Sequence, residues 1–250
     1  MFGLQNINGS CWVNAALQAL FRFPDVQARY NAGTFENKLD GILCTIWRSK
    51  GKNGLEEFFQ EVRSDLMPAG AGIGDSHELF TYLCDKLPYL DKLCRFSMAN
   101  AIECIACKDK HIRQESVINF SLMEGNKQPI STCILKTVEE SVILDWTCET
   151  CKAKGGASRQ MIGSFPQYMI FHTPLDSSVQ YSSILILNKR KYALSSVVCY
   201  NGAHWWTYGR DMPPGSAWFV FDDTNVMNHG PRQFPLSNTT RMLIYYCINE

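Results

Sequence analysis

The segment NINGSCWVNAALQALF, residues 6–21, constrains this chain more than any other. From Cys11 to Phe21 apolar residues fall on nearly every side of a helix, so a helix here needs protein around its whole circumference. Such a helix belongs at the centre of a fold. Its first residue is a cysteine approached through Gly9 and Ser10. The first turn of a helix offers unpaired N–H groups and a partial positive charge, and both favour a thiolate over a thiol. Asn6 carries an amide N–H able to donate to an oxyanion forming beside that sulfur. Far downstream, GAHWWTYG supplies His204 and WFVFDDTNV supplies Asp222 and Asp223, each beside a strand-like run. A base and a carboxylate are what a thiol nucleophile needs.

Each of these residues also has an ordinary structural explanation. The chain holds 11 cysteines, and most free cysteines are buried and inert. A histidine beside aromatic residues, as His204 is, is often a hydrogen-bonded core residue. Cys11 differs through its glycine-serine approach and the buried helix behind it. Gly202 and Ala203 leave space in front of His204, and the aspartate pair closes an apolar strand. Cysteine early, histidine late and carboxylate shortly after is the order of papain-type cysteine proteases.

Two further pairs, Cys104-x-x-Cys107 and Cys148-x-x-Cys151, each end in a lysine, Lys108 and Lys152. Two such knuckles offer four thiolates in the tetrahedron that Zn2+ accepts, with lysines offsetting the charge. The rival is redox chemistry, but thioredoxin-like proteins use one such motif at the head of a helix in a βαβ context. The spacing favours a structural zinc that closes a long loop and acts as a folding element. His111 is expected at the surface, since four cysteines already complete the ligand set.

Composition narrows the class. A hydrophobic content of 46% in 250 residues fills a sizeable core for one catalytic domain. The 24 basic and 24 acidic residues cancel, so the basic excess of a nucleic-acid-binding protein is missing and no nucleic-acid partner is expected. No run approaches the ~18 apolar residues of a membrane span, and the start lacks a signal-peptide pattern. An odd cysteine count with two CxxC pairs suits reduced thiols and a metal better than disulfides, so the expected location is the cytoplasm.

The pattern predicts a helical start and a β-rich remainder. Helices are expected over Cys11–Phe21, from an Asn53/Glu56 capping box through Leu66, and over Asp75–Leu87 with Pro88 ending the last. A short helix capped by Ser131 is expected over Thr132–Val142. Strands are expected at Val117–Leu122, Tyr168–His172, Ala193–Tyr200, Trp205–Tyr208, Ala217–Phe221 and Met242–Ile248. Pro213, Pro214 and Gly215 mark a turn. AGAGIG, Ala69–Gly74, is a flexible lead-in to the third helix and lacks the lysine-serine of a phosphate loop. Asp75 and Glu78 form a capping box at a helix start, worth about 1 kcal/mol. His77 is read as a packing residue. Of Trp205 and Trp206, one covers the triad from water and the other lines the cleft.

These boxes together resemble the ubiquitin-specific proteases. FGLQNINGSCWVNAALQAL is similar to the family's GLxNxGNTCYxNAxLQxL, and GDSHELFTYLCDKL to its QDAHEF-type box. CIAC and CETC resemble its zinc-holding pairs. FPQYMIFHTPL, YNGAHWWTYGRD, AWFVFDDTNV and RMLIYYCI follow in the family order, so the resemblance covers essentially the whole chain. Three departures stand out. The family's GN is inverted to Asn8-Gly9 with Ser10 for threonine, its GHY becomes GAHW, and the chain is short. The first two bear on the shape of the substrate channel, and the third suggests a trimmed version, viral in one reading.

The resemblance implies an α+β, papain-like cysteine protease fold. A helical thumb would occupy residues 1–96, zinc-bound β fingers 97–165 and a β-sheet palm 166–250. It implies a monomeric thiol-dependent deubiquitinase, with ubiquitin or a ubiquitin-like modifier as partner, cutting peptide or isopeptide bonds after the terminal glycine. Cys11 is then the nucleophile, His204 the base, Asp222 the orienting acid, Asn6 the oxyanion donor and Asp223 a neighbour or substitute for Asp222. Asp75 and Glu78 would hold the arginine-bearing tail of ubiquitin, and Gly202 and Trp205 would border the channel. Cys104, Cys107, Cys148 and Cys151 would hold Zn2+. Two other functions stay open: a viral papain-like protease that cleaves a polyprotein in the host cytoplasm, and an inactive ubiquitin-binding module.

Overall fold

The computed structural model describes residues 1–67, 72–122, 127–174, 178–212, 217–231 and 239–248. Among the described residues, the first 94 positions hold six helices: α1 (Cys11–Leu20), α2 (Pro24–Asn31), α3 (Lys38–Arg48), α4 (Leu55–Leu66), α5 (Ser76–Lys86) and α6 (Pro88–Cys94). A seventh, α7 (Ile130–Val138), lies among strands. In chain order the strands are β1 (Phe96–Cys104), β2 (Lys110–Val117), β3 (Phe120–Ser121), β4 (Gln128–Pro129), β5 (Ser141–Thr147), β6 (Lys154–Ile162), β7 (Tyr168–His172), β8 (Val179–Gln180), β9 (Ile184–Leu187), β10 (Arg190–Tyr200), β11 (Trp205–Gly209), β12 (Trp218–Asp222), β13 (Asn225–Gly230) and β14 (Thr240–Cys247).

All ten residues of α1 are buried, as an all-round apolar helix requires. Burying each large apolar side chain contributes roughly 1.5–3 kcal/mol, so this helix anchors the fold. It packs on α5 to one side and on β10, β11 and β12 to the other. Two hydroxyls pin its carbonyls: Ser76 Oγ donates to Trp12 O (2.8 Å) and Thr207 Oγ1 to Ala15 O (2.7 Å).

The large sheet runs β13-β12-β11-β10-β14-β7-β3, with β9 beside β10. Alternation divides its side chains between two cores. Tyr168, Ile170, Met242 and Ile244 face the helices, while Met169, Phe171, Leu243 and Tyr245 face the second core with α7. A bulge between Leu194 and Ser196 shifts the register of β10 against β14. It lets Leu194 and Val197 share the second core although they differ in parity. A separate four-stranded antiparallel sheet, β2-β1-β6-β5, carries the two CxxC turns.

The structure corrects several expected elements. Gly54, not Asn53, caps α4, because the chain enters that helix through a left-handed turn (φ 86°). Pro88 ends α5 and also opens α6, its missing N–H being harmless at the first helical position. The helix expected at Thr132–Val142 begins after Pro129 and ends at Val138, and Ser141 already starts β5. Val117–Leu122 is split between the end of β2 and the short β3. The Pro213–Gly215 turn and part of the Ala69–Gly74 lead-in lie outside the described residues.

Candidate active site

The approach to α1 is a tight turn. Ser10 N donates to Ile7 O (3.1 Å), and Asn8 and Gly9 both have positive φ, 50° and 85°. That is a type I′ turn, for which Asn-Gly is the preferred pair, so the inverted order has a conformational reason. Ser10 does not cap the helix; its Oγ accepts from Ile7 N (2.8 Å). Asn6 Oδ1 accepts from Gly9 N (3.1 Å), which turns Asn6 Nδ2 toward Asp223 Oδ2 (2.8 Å). Of the two N–H bonds on that nitrogen, one goes to Asp223 and the other is engaged by neither Asp223 nor Gly9.

Cys11 is 2% exposed. Burial pushes its thiol above the ordinary value, opposed by the N–H groups of Trp205, Trp12 and Cys11 itself, while the charge of Asp223 pushes it further up. The helix start alone therefore does not supply the thiolate that the sequence suggested, and the proton needs a base. The N–H of Trp205, the residue after His204, is among the groups that act on the thiol, and α1 packs against β11, the strand that Trp205 begins.

His204 is held by its own loop. Asn201 Oδ1 accepts from the N–H groups of Ala203 (3.0 Å) and His204 (2.8 Å). Its Nε2 meets Asp222 Oδ1 at 2.7 Å, and Asp223 Oδ2 lies at 4.0 Å. Asp222 ends β12, whereas Asp223 is already in the turn that follows, with φ 52°. The two carboxylates consequently serve different partners. Asp223 accepts Asn6 Nδ2 on one oxygen and Asn14 Nδ2 (2.7 Å) on the other. Asn14 was not singled out from sequence, although an amide inside an otherwise apolar helix was a visible signal.

The remaining expected residues are spread around this centre. Gly202 is exposed at the loop tip with φ 97° and nothing near its missing Cβ. Trp205 is 4% exposed and stacks on Tyr200 (4.5 Å), so its side chain belongs to the core and does not border an open channel. The half-buried ring next along the strand, Trp206, lies parallel to His204 at 6.5 Å. Asp75 caps α5, accepting from His77 N (2.6 Å), and Glu78 is exposed in its first turn. His77 stacks on His172 (4.1 Å), and burial followed by the neighbouring imidazole holds it down to about 4, so it stays neutral.

In the other sheet, the sulfurs of Cys104, Cys107, Cys148 and Cys151 all lie within 4.8 Å of one another. Cys104 and Cys151 are 3.6 Å apart, and Cys107 and Cys148 3.7 Å. A tetrahedron with bonds of about 2.3 Å has edges of about 3.8 Å, so the donor set fits a thiolate-bound metal ion such as Zn2+. The two turns are built alike. Lys108 N donates to Cys104 O and Lys152 N to Cys148 O, both at 3.0 Å, with φ 61° and 62° at the lysines. N–H groups of Cys107 and Cys151 lower the thiols of Cys104 and Cys148, the latter to about 6. His111 lies at the rim, its Nε2 3.9 Å from Cys148 Sγ and its ring edge-on to Trp146.

The family model for ubiquitin carboxyl-terminal hydrolases matches residues 2–245. The chain belongs to the ubiquitin carboxyl-terminal hydrolase family. This member is 20% identical to the probable ubiquitin carboxyl-terminal hydrolase 8 of Schizosaccharomyces pombe, across 98% of its own length and 64% of that protein's. It therefore spans less than two thirds of that curated relative. Among solved structures it is similar to the SAGA DUB module of Ubp8, Sgf11, Sus1 and Sgf73 bound to monoubiquitin, with TM-score 0.84 and 14% identity over 100% of this chain and 69% of that one. The module bound to ubiquitin aldehyde gives TM-score 0.81 and 14% identity, covering 100% and 70%. A yeast SAGA DUBm with a mutant Sgf73 gives 0.84 and 15%, covering 100% and 69%. These likenesses establish the α+β papain-like fold of this hydrolase family member.

Proposed function

We propose that this chain is a thiol-dependent deubiquitinase that hydrolyses peptide or isopeptide bonds after the C-terminal glycine of ubiquitin or a ubiquitin-like modifier. The observation that carries the reading is the His204 Nε2–Asp222 bond at 2.7 Å, one residue from the Trp205 N–H that meets the Cys11 thiol. With Nε2 engaged, Nδ1 is the nitrogen left to take the proton of Cys11. The thiolate attacks the glycine carbonyl, and the oxyanion receives the N–H of Cys11 and the free N–H of Asn6. Collapse breaks the C–N bond as His204 returns the proton to the leaving amine. Water, deprotonated by His204, then opens the thioester and releases the glycine carboxylate and the Cys11 thiol. Asp222 holds the imidazole and stabilises its charged form. Asp223 acts on the other side of the cleft, through Asn6.

The four-cysteine cluster would hold a structural Zn2+, which joins the two turns of the smaller sheet and takes no part in the chemistry. Residues 1–96 would serve as thumb, 97–165 as fingers and 166–250 as palm, with Asp75 and exposed Glu78 offered to the basic tail of the modifier. Eleven cysteines without a disulfide suit the cytoplasm, and no helix among the described residues is long and apolar enough to cross a membrane. Cleavage of a polyprotein after paired glycines would use the same chemistry.

The test is turnover of a ubiquitin C-terminal fluorogenic substrate beside its ubiquitin-like counterparts and a diglycine peptide. A ubiquitin probe bearing a C-terminal electrophile should add to the parent chain and not to Cys11→Ala. Labelling that persists, or moves to Cys199, would overturn the assignment of the nucleophile. Turnover of the peptide alone would favour the polyprotein reading.

A further inference from the structure

Two of the ten buried residues of α1 are amides one turn apart, Asn14 and Gln18. Both face the N-terminal segment. Gln18 Nε2 donates to Phe2 O (2.8 Å), and Asn14 Nδ2 lies 3.3 Å from Leu4 O and 3.1 Å from Gln5 O. Asn14 does something more. Its Nδ2 is closest to Asp223 Oδ1, at 2.7 Å, and the other oxygen of that carboxylate receives Asn6 Nδ2 at 2.8 Å. Leu4 N also donates to Asp223 O (2.9 Å), so the segment leading to Asn6 and the turn bearing Asp223 are joined at both backbone and side chain.

The orientation of Asn14 is fixed by its surroundings. Three acceptors face the nitrogen, and turning the amide over would set oxygen against oxygen. Its Oδ1 is consequently buried without a hydrogen-bond partner. An orphaned buried acceptor is unfavourable, and a leucine of similar shape would remove it. Nor would an aspartate serve, since its charge would oppose Asp223. The position suits a side chain that donates and carries no charge.

We propose that Asn14 is a positioning residue for oxyanion stabilisation: by fixing Asp223 and the carbonyls of residues 4 and 5, it sets the aim of the Asn6 N–H. The proposal rests on the thiol-hydrolase reading of the same site. A donor that acts on charge developing in the transition state must be held before the charge appears, and a small error in aim loses much of its effect. Asn14 touches that donor only through intermediaries, Asp223 and the carbonyls of residues 4 and 5, so its influence on rate should vanish when the donor is gone. A role limited to clipping the N-terminal segment would not have that property.

The experiment is a double-mutant cycle on the full chain with a ubiquitin C-terminal fluorogenic substrate, comparing Asn14→Leu and Asn14→Ser with and without Asn6→Ala. Each Asn14 variant should lower kcat by about ten- to a hundred-fold with KM nearly constant, and add almost nothing in the Asn6→Ala background. Equal losses in both backgrounds, or a rise in KM with kcat unchanged, would overturn the proposal. A second readout needs no turnover: the side-chain amide resonances of Asn6 in 15N-labelled protein. They should move toward those of a free amide in either Asn14 variant, and unchanged resonances would also overturn it. A parent chain without turnover would count against the hydrolase reading, and the amide resonances would then decide the question of Asn14.

Discussion

His204 turns Nε2 toward Asp222 Oδ1 at 2.7 Å, and in the proposed mechanism that choice leaves Nδ1 as the nitrogen to take the proton of Cys11. The carboxylate thus fixes both the tautomer and the direction of proton transfer. Asp223, 4.0 Å from the same nitrogen, is occupied on both oxygens by the amides of Asn6 and Asn14. The adjacent acids divide between His204 and Asn6 because the chain leaves the strand between them.

Replacing the two acids should therefore give different kinetic signatures. Asp222→Ala should lower kcat/KM by about 10²–10⁴-fold, as loss of the orienting acid does in comparable triads. Asp223→Ala should cost less, about ten- to a hundred-fold, and show most of it in kcat. Steady-state kinetics on both variants check this, and a far greater loss for Asp223→Ala would reverse the roles.

Asn6→Ala should lower kcat by about ten- to a thousand-fold with little change in KM, because the lost hydrogen bond exists only when the oxyanion forms. A matching rise in KM with kcat intact would make Asn6 a residue that positions substrate instead.

The pH dependence follows from the thiol. Burial raises Cys11 first, the N–H groups of Trp205, Trp12 and Cys11 pull it back, and the charge of Asp223 raises it again. A raised thiol has less thiolate at a given pH, so alkylation of Cys11 should climb through a midpoint above that of an ordinary cysteine. Removing the nearby charge with Asp223→Asn should move the midpoint to lower pH. Iodoacetamide rates, with the adduct on Cys11 followed by mass spectrometry, measure both, and a midpoint that rises in the variant would contradict the argument.

How far the sequence alone revealed this depended on how strongly each residue's surroundings are dictated locally. Helix α1 and strand β7 were legible, because continuous apolar runs leave few alternatives. Helices α2 and α3 were not read, and β2, β5 and β6 were missed for a physical reason: their sheet is exposed on much of its surface, so the alternation of buried and polar residues is weak. Within the site, Cys11, His204 and Asp222 were singled out by residue type, and the structure sets His204 against Asp222. Asn14 was missed because it acts through Asp223, and only the turn after β12 brings those two together. Trp205 was read as bordering the cleft because two adjacent tryptophans look alike in sequence, whereas strand alternation buries the first and leaves Trp206 half-buried.

Gly74 offers a stability test at the lead-in to α5. A Cβ there would lie 2.6 Å from the buried indole of Trp12, which has no room to withdraw. Gly74→Ala should therefore destabilise the fold by about 1–3 kcal/mol, the usual cost of overpacking. Chemical denaturation checks it, and an unchanged midpoint would mean that the lead-in moves aside at no cost.

The cysteine cluster makes the last prediction. Purified protein should carry one zinc ion per chain, because the four sulfurs already span tetrahedral distances and two backbone turns lower the thiols of Cys104 and Cys148. Such a metal would tie the hairpin end of β1 to the turn between β5 and β6, in a sheet with little apolar core of its own. Stripping it with a strong chelator, or Cys148→Ser, should lower Tm by roughly 5–15 °C. The loss should fall first on the smaller sheet, because α1, β11 and β12, which hold Cys11, His204 and Asp222, pack in the other. Hydrogen exchange should accordingly rise early in β1, β2, β5 and β6 while amides of β10 and β14 stay protected. Metal analysis without zinc, together with an unchanged melting curve in chelator, would refute a structural metal here.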